Sequence, residues 1–286
     1  MTILKILVLA IVQGAAELLP ISSSAHVIVA EKLMGLDPTS PAMTLLLVML
    51  HTGTMFAVIF FYWKSWKVTF FSSRKVIWYS VKIITAATFL TGVIGLLLKY
   101  FIEKFILGDV PHAEIELIFG NMALISAALA AVGFLIIFAG LKSRRTGGKV
   151  TLGLNGSYWI GAVQGICLPF RGFSRSGATI STGLLLGIAK QRVEEFSFAL
   201  AVVLTPPVIV REVLRLLKAQ HVPAVDVTSM AGLFYPSLLG MVLSFAAGIV
   251  ALKWLSSWLE RGRWHLFGIY CLCASVVVFL LYRSGL

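Results

Sequence analysis

The chain has 286 residues, 59% of them hydrophobic, and a mean hydropathy of +0.95, which excludes an ordinary soluble globule. Its 24 Lys and Arg outnumber 12 Asp and Glu, for a formal charge of +12. The basic residues lie mostly between apolar runs, so topology and anionic headgroups account for them and no nucleic acid is expected as a partner.

In chain order, residues 1–36 come first. Lys5 ahead of "ILVLAIV" imitates a secretory signal, but cleavage after "GAA" would separate Gln13 from Glu17, so an uncleaved helix is expected. Gln13 and Glu17 are i, i+4 and share one helix face. Pro20 breaks that helix, and Ser22, Ser23 and Ser24 open another. A helix start exposes unpaired N–H groups and the positive end of the dipole, a natural anion cradle. His26 lies three residues after Ser23 and four after Ser22, so either hydroxyl can share its face.

Six runs read as full crossings: about 41–62, 77–105, 119–141, 195–217, 230–252 and 264–283. The connection 63–76 carries Lys64, Lys67, Arg74 and Lys75 with no acid, and 142–156 carries Lys142, Arg144, Arg145 and Lys149 with none. The positive-inside rule puts both in the cytoplasm. Residues 106–118 hold Asp109, Glu114 and Glu116 and no base, so they face out. The stretch 253–263 has three basic residues against Glu260 and also fits inside. Segment 157–190 therefore starts and ends on the cytoplasmic side and must dip into the membrane and return. The same shape for residues 1–36 puts the N-terminus outside.

The second dip, with "RGFSRSGATIST", supplies Arg171, Arg175 and hydroxyls at Ser174, Ser176, Thr179, Ser181 and Thr182. A guanidinium among hydroxyls and small residues inside a membrane suits a phosphate. The two dips also resemble each other. Val12-Gln13-Gly14 recurs as Val163-Gln164-Gly165 at an offset of 151, and "PISSSA" matches "GFSRSG" at 152. One copy enters from outside and the other from inside. The expectation is an all-α polytopic protein, one domain over 1–286, with inverted repeats at roughly 1–105 and 157–252 and two re-entrant segments meeting near mid-membrane.

Other polar groups read as structural. Cys167, Cys271 and Cys273 lie in apolar stretches without metal-ligand spacing and are expected to be buried. His51 reads as a satisfied packing residue; His112, His221 and His265 carry no visible partner. Arg211, Glu212 and Arg215 read as a local ion-paired helix end, and Ser181 and Thr182 as helix glue or back-bonded hydroxyls.

"VQGAAELLPISSSAH" and "GFSRSGATIS" resemble the two signature motifs of the bacitracin-resistance type undecaprenyl-pyrophosphate phosphatases. The first family motif is Glu/Gln-x-x-x-Glu running into Pro-x-Ser-Ser and then His, matched by Gln13, Glu17, Ser22, Ser23 and His26. The second is Pro-Gly-x-Ser-Arg-Ser-x-x-Thr, matched by Ser174, Arg175, Ser176 and Thr179. Where the family usually has Pro-Gly, this chain reads Arg171-Gly172, which leaves the role of Arg171 open.

The resemblance implies hydrolysis of a polyprenyl diphosphate to the monophosphate carrier lipid of peptidoglycan synthesis, with bacitracin resistance as a consequence. It also implies a divalent cation, Mg²⁺ or Ca²⁺, and a bacterial inner-membrane location with the site facing the periplasm. A homodimer is compatible with it. On this reading Ser23 attacks phosphorus with His26 as general base, and Arg175 neutralises developing charge. Glu17 orients His26 or, with Gln13, holds the metal; Gln13, Ser22, Ser174, Ser176 and Thr179 bind the diphosphate. Direct attack by water stays open. A transporter or flippase of a phosphorylated lipid is the alternative that the inverted repeat suits; a serine intramembrane protease has no use for Arg175.

Overall fold

The computed structural model describes residues 2–37, 40–108, 115–146, 148, 150–219 and 227–285. Asp109, His112, Glu114, Lys149 and His221 lie outside the described residues, as do the side chains of Glu116, Arg145, Arg211, Glu212 and Arg215. The fold is all-α. Among the described residues five α-helices precede residue 150: α1 (Ile3–Leu18), α2 (Ser23–Leu33), α3 (Pro41–Phe70), α4 (Arg74–Phe101) and α5 (Met122–Thr146). Five follow: α6 (Leu154–Cys167), α7 (Arg175–Leu185), α8 (Lys190–Ala219), α9 (Val227–Glu260) and α10 (Trp264–Arg283). Among the described residues extended pairing is confined to one bridge, Val150 with Ile188.

Local sequence explains the helix starts. Pro41 sits in the first turn of α3, where its missing N–H is no loss, and the Ser40 hydroxyl accepts from the Met43 N–H at 3.3 Å. Ser73 caps α4 in the same way through Val76. Six helices are long and apolar enough to cross a membrane among the described residues: Met43–Phe70, Arg74–Ile106, Met122–Arg144, Lys190–Val210, Phe234–Glu260 and Trp264–Arg283. They coincide with the six expected crossings, so this is a multi-pass membrane protein. Their outer faces carry exposed large side chains such as Phe60, Trp78, Phe89, Leu96 and Phe134, which suits contact with lipid rather than water.

The crossings are longer than hydropathy alone marks. Helix α3 runs through Lys64 and Lys67 to Phe70, and α9 runs through Lys253 to Glu260, so most of those two basic stretches is helix rather than loop. Long cationic side chains let a helix continue past the hydrocarbon by extending along it. Lys67 lies over the Trp63 ring at 5.3 Å, as such extension requires.

Helices α1 and α2 are different. With 16 and 11 residues they span about 24 Å and 16 Å, short of a ~30 Å hydrocarbon core. Helices α6 and α7, with 14 and 11 residues, are equally short. Each pair packs on itself, and the order of two short helices and three long ones recurs in the two halves. The packing recurs too: α1 lies on α9, α6 lies on α4, and α5 lies on α10. At the matching sequence positions a Cβ added to Gly14 would come within 2.7 Å of the Ser244 carbonyl oxygen. One added to Gly165 would come within 2.8 Å of that of Thr91. Only glycine allows either approach.

Buried polar groups fasten the long helices together. Glu194 accepts from Tyr62 at 2.5 Å and from Ser256, and Glu195 accepts from Ser65 and Thr69, tying α8 to α3 and α9. Ser126 and Ser275 exchange hydrogen bonds between α5 and α10. Thr182 donates back to the Ala178 carbonyl, and Ser181 accepts from Trp264 Nε1, so both hydroxyls are structural as expected. Cys167 and Cys271 are buried, but Cys273 is exposed, against expectation. It sits on the outward part of α10, where the apolar neighbours signify lipid rather than core.

Candidate active site

The two interhelical breaks, residues 19–22 and 168–174, face each other across one cavity of about 240 Å³. Pro20 ends α1, and Ser22 then takes φ +68°, the one non-glycine positive φ among the described residues. That left-handed geometry costs a residue with a Cβ about 1–2 kcal/mol and turns the chain abruptly into α2. Ser22 makes no side-chain cap, so the first N–H groups of α2 keep their anion-binding capacity. In the second break the Ser174 hydroxyl accepts from Gly177 N–H at 3.2 Å and caps α7. The serine pairs match: Ser22 and Ser24 hydroxyls lie 3.4 Å apart, and Ser174 and Ser176 hydroxyls also 3.4 Å.

Glu17, at the end of α1, organises the cavity. Its Oε1 accepts from Arg175 Nη2 at 2.8 Å, joining the two halves. Its Oε2 accepts from the Ser23 hydroxyl at 2.5 Å and from Gln13 Nε2 at 3.2 Å. His51 of α3 brings Nε2 to 4.0 Å from the same oxygen. The Glu17 and Arg175 side chains are only 17% and 21% exposed, so their attraction is weakly screened. Arg175 Nη1 is buried with no acceptor among the described residues. A buried charged donor left without a partner is expensive, and Arg175 lines the cavity.

Of the residues expected in the site, Glu17, Ser22, Ser23, Ser174, Arg175 and Ser176 line this cavity together. Ser176 also donates to the Leu19 carbonyl at 3.3 Å. Gln13 and Thr179 stand behind it. Gln13 steadies Glu17, and Thr179 donates to the Arg175 carbonyl at 2.8 Å while bonded to Ser197 at 2.6 Å, so its hydroxyl is already engaged.

His26 is placed differently from the expected base. Its Nδ1 is 2.8 Å from the Ser22 carbonyl oxygen and its Nε2 is 2.8 Å from the Tyr270 hydroxyl. A carbonyl can only accept, so Nδ1 carries a proton and the ring points away from Ser23. His26 lines a separate apolar cavity of about 290 Å³ with Ala25, Tyr270, Cys273 and Val277. The group in contact with the Ser23 hydroxyl is Glu17.

His51 and Arg171 both border the first cavity. His51 reads in sequence as packing, because a lone histidine there gives no hint that α3 passes beside Glu17. Apolar walls from Leu168, Phe173, Leu204 and Val208 complete the cavity and lead toward exposed parts of α8.

At the Mg²⁺ or Ca²⁺ site expected at Glu17 and Gln13, Glu17 is the one carboxylate lining the cavity among the described residues, so the protein would supply only part of a hard cation's oxygen shell. Both Glu17 oxygens are already taken by Arg175, Ser23 and Gln13. No group of three His, Cys, Asp or Glu converges among the described residues. Hard divalent cations need several oxygen ligands.

The family model described as bacitracin resistance protein BacA matches residues 6–277. The chain is 57% identical over 286 residues to "Undecaprenyl-diphosphatase 2" of Acinetobacter baylyi, covering 98% of each chain. It is 31% identical to "Undecaprenyl-diphosphatase" of Rhodopirellula baltica, again covering 98% of each. To the protein of that name from Korarchaeum cryptofilum it is 33% identical, over 97% and 98% of the two chains. With the match running from α1 into α10, this chain belongs to the bacitracin resistance protein BacA family.

Proposed function

We propose that this chain hydrolyses undecaprenyl diphosphate to the monophosphate and inorganic phosphate, the activity its relatives are named for. The observation that carries the reading is the Ser23–Glu17–Arg175 chain of contacts, with a buried guanidinium nitrogen left over. Ser23 Oγ attacks the terminal phosphorus while Glu17 Oε2 takes its proton. The bond from phosphorus to the bridging oxygen breaks, and the lipid monophosphate leaves with the electron pair. Water then attacks the phosphoserine, inorganic phosphate departs, and Ser23 regains a proton. Arg175 Nη1 and the uncapped start of α2 supply donors for the transferred phosphoryl oxygens.

The apolar wall along α8 gives the prenyl tail an exit to the bilayer. We further propose that the short helix pairs are re-entrant halves of an inverted repeat in the bacterial inner membrane, with the cavity open to the periplasm. The matching order of helices, the shared Gly14 and Gly165 contacts and the alternating basic connections support this. A divalent cation would be held chiefly by the substrate's own phosphate oxygens, with Glu17 beside them, and would screen their charge. Resistance to bacitracin follows from turnover of the diphosphate.

The test is phosphate release by the purified chain in detergent from polyprenyl diphosphate. Release that disappears in Glu17→Gln supports the reading; undiminished release in that variant contradicts the assigned site.

A further inference from the structure

We infer that Glu31 and Arg171 form a clasp between the two halves of the chain and that both are positioning residues. Glu31 holds Arg171, and Arg171 holds the turn that delivers Ser174 and Arg175 to the cavity. The inference rests on the phosphatase reading.

The second break contains a tight turn. The Phe173 N–H donates to the Phe170 carbonyl at 3.0 Å, so Arg171 and Gly172 take the two central positions. Gly172 has φ +104° and Arg171 has no positive φ, the pattern of a type II turn. The second central position calls for glycine, and here a Cβ would also lie 2.5 Å from the Ile125 carbonyl oxygen on α5. The first favours proline, whose ring pre-sets φ near −65°. This chain has arginine there, with no ring to stiffen the backbone, which leaves its side chain to hold the turn.

That side chain is engaged from two directions. Its guanidinium lies 4.5 Å over the Phe119 ring. Glu31, 5% exposed near the end of α2, attracts it from the other half of the chain. A carboxylate so buried is costly without a cation, and Glu31 Oε1 has no hydrogen-bond partner among the described residues. The attraction therefore serves both partners.

What the clasp sets is the register of two helices. Glu31 follows Ser23 by eight residues on α2, about 12 Å along the axis, and Arg175 opens α7 four residues after Arg171. Glu17 and Arg175 tie the halves inside the cavity, and Glu31 and Arg171 tie them at its border. Without the second tie the turn would loosen and Arg175 would drift relative to Ser23. Small misplacements of reacting groups are costly in rate.

The test uses full-length protein in detergent: parent, Glu31→Gln, Arg171→Ala, these two combined, and Glu31→Gln combined with Arg171→Pro. Proline suits the turn without a clasp, and glutamine leaves no buried charge unpaired. Two quantities are read. One is kcat and KM for polyprenyl diphosphate. The other is hydrogen exchange of the Phe170–Gly177 segment, where the Phe173 and Gly177 N–H groups are bonded within the break. Each single change should lower kcat about tenfold with KM within about threefold, and quicken exchange by a similar factor. Glu31→Gln with Arg171→Ala should be no worse than the worse single change, because one contact is lost only once. Glu31→Gln with Arg171→Pro should bring kcat to within about threefold of parent and restore slow exchange. Unchanged kcat in the single variants, a raised KM alone, additive losses, or no recovery with proline overturns the inference. If the parent releases no phosphate from the lipid, the phosphatase reading fails, and the exchange rates still decide the clasp.

Discussion

Ser23 donates its hydroxyl hydrogen to Glu17 across 2.5 Å, although a helix break separates the two residues. The break makes the contact: α1 delivers Glu17 at its last turn, the chain reverses through Pro20 and Ser22, and α2 returns Ser23 to the same carboxylate. A carboxylate held between a hydroxyl and a guanidinium suits proton removal from a serine attacking an anionic phosphate.

Ser22 should matter through its backbone before its hydroxyl. At φ +68° glycine is relaxed and valine strained. Ser22→Gly should keep turnover within several-fold of parent with an unchanged or higher Tm, and Ser22→Val should lose both. Complete inactivity of a folded Ser22→Gly would make the Ser22 hydroxyl part of the chemistry.

Arg175 offers paired donors in one plane, one to Glu17 and one toward the cavity. Arg175→Lys keeps the charge but not the fork, and kcat should fall about 100-fold or more while the protein still purifies as a single folded species. Near-normal kcat would remove Arg175 from the phosphoryl site.

His26 is placed to hold the Ser22 backbone, through the 2.8 Å contact of its Nδ1 with the Ser22 carbonyl oxygen. Asn can offer an N–H near the place of Nδ1, so His26→Asn should retain far more activity than His26→Ala, which should lose about tenfold or more. Tyr270→Phe, which removes only the outer hydrogen bond, should be mild. Equal inactivation by His26→Asn and His26→Ala would restore His26 as the base.

Much of this was legible in the sequence, for physical reasons. Apolar runs and basic connections mark the six crossings, and Pro20 marks the first break. The direction of His26 was not legible, because i, i+3 and i, i+4 spacing put both serines within reach. The Ser22 carbonyl and Tyr270, 244 residues away, decide it. The Ser23–Glu17 contact crosses a break, where helical periodicity says nothing. His51 joins the site only through the packing of α3 beside α1. Arg171 departs from the family pattern and so carried no inherited role.

If the short helix pairs are re-entrant, a reporter active only in the periplasm should work at either terminus and be silent when fused after Arg145. A silent reporter at the N-terminus would break the inverted-repeat reading and leave the chemistry of the cavity untouched.

The most direct test of the serine mechanism uses polyprenyl diphosphate labelled at its terminal phosphorus, mixed with purified protein and quenched in acid within the first turnover. The label should appear on the peptide containing Ser23, at a level that rises and falls as free phosphate accumulates, and should be absent in Ser23→Ala, which still binds pyrophosphate. Phosphate release at the parent rate in Ser23→Ala would contradict the account and make water, activated at Glu17, the attacking group.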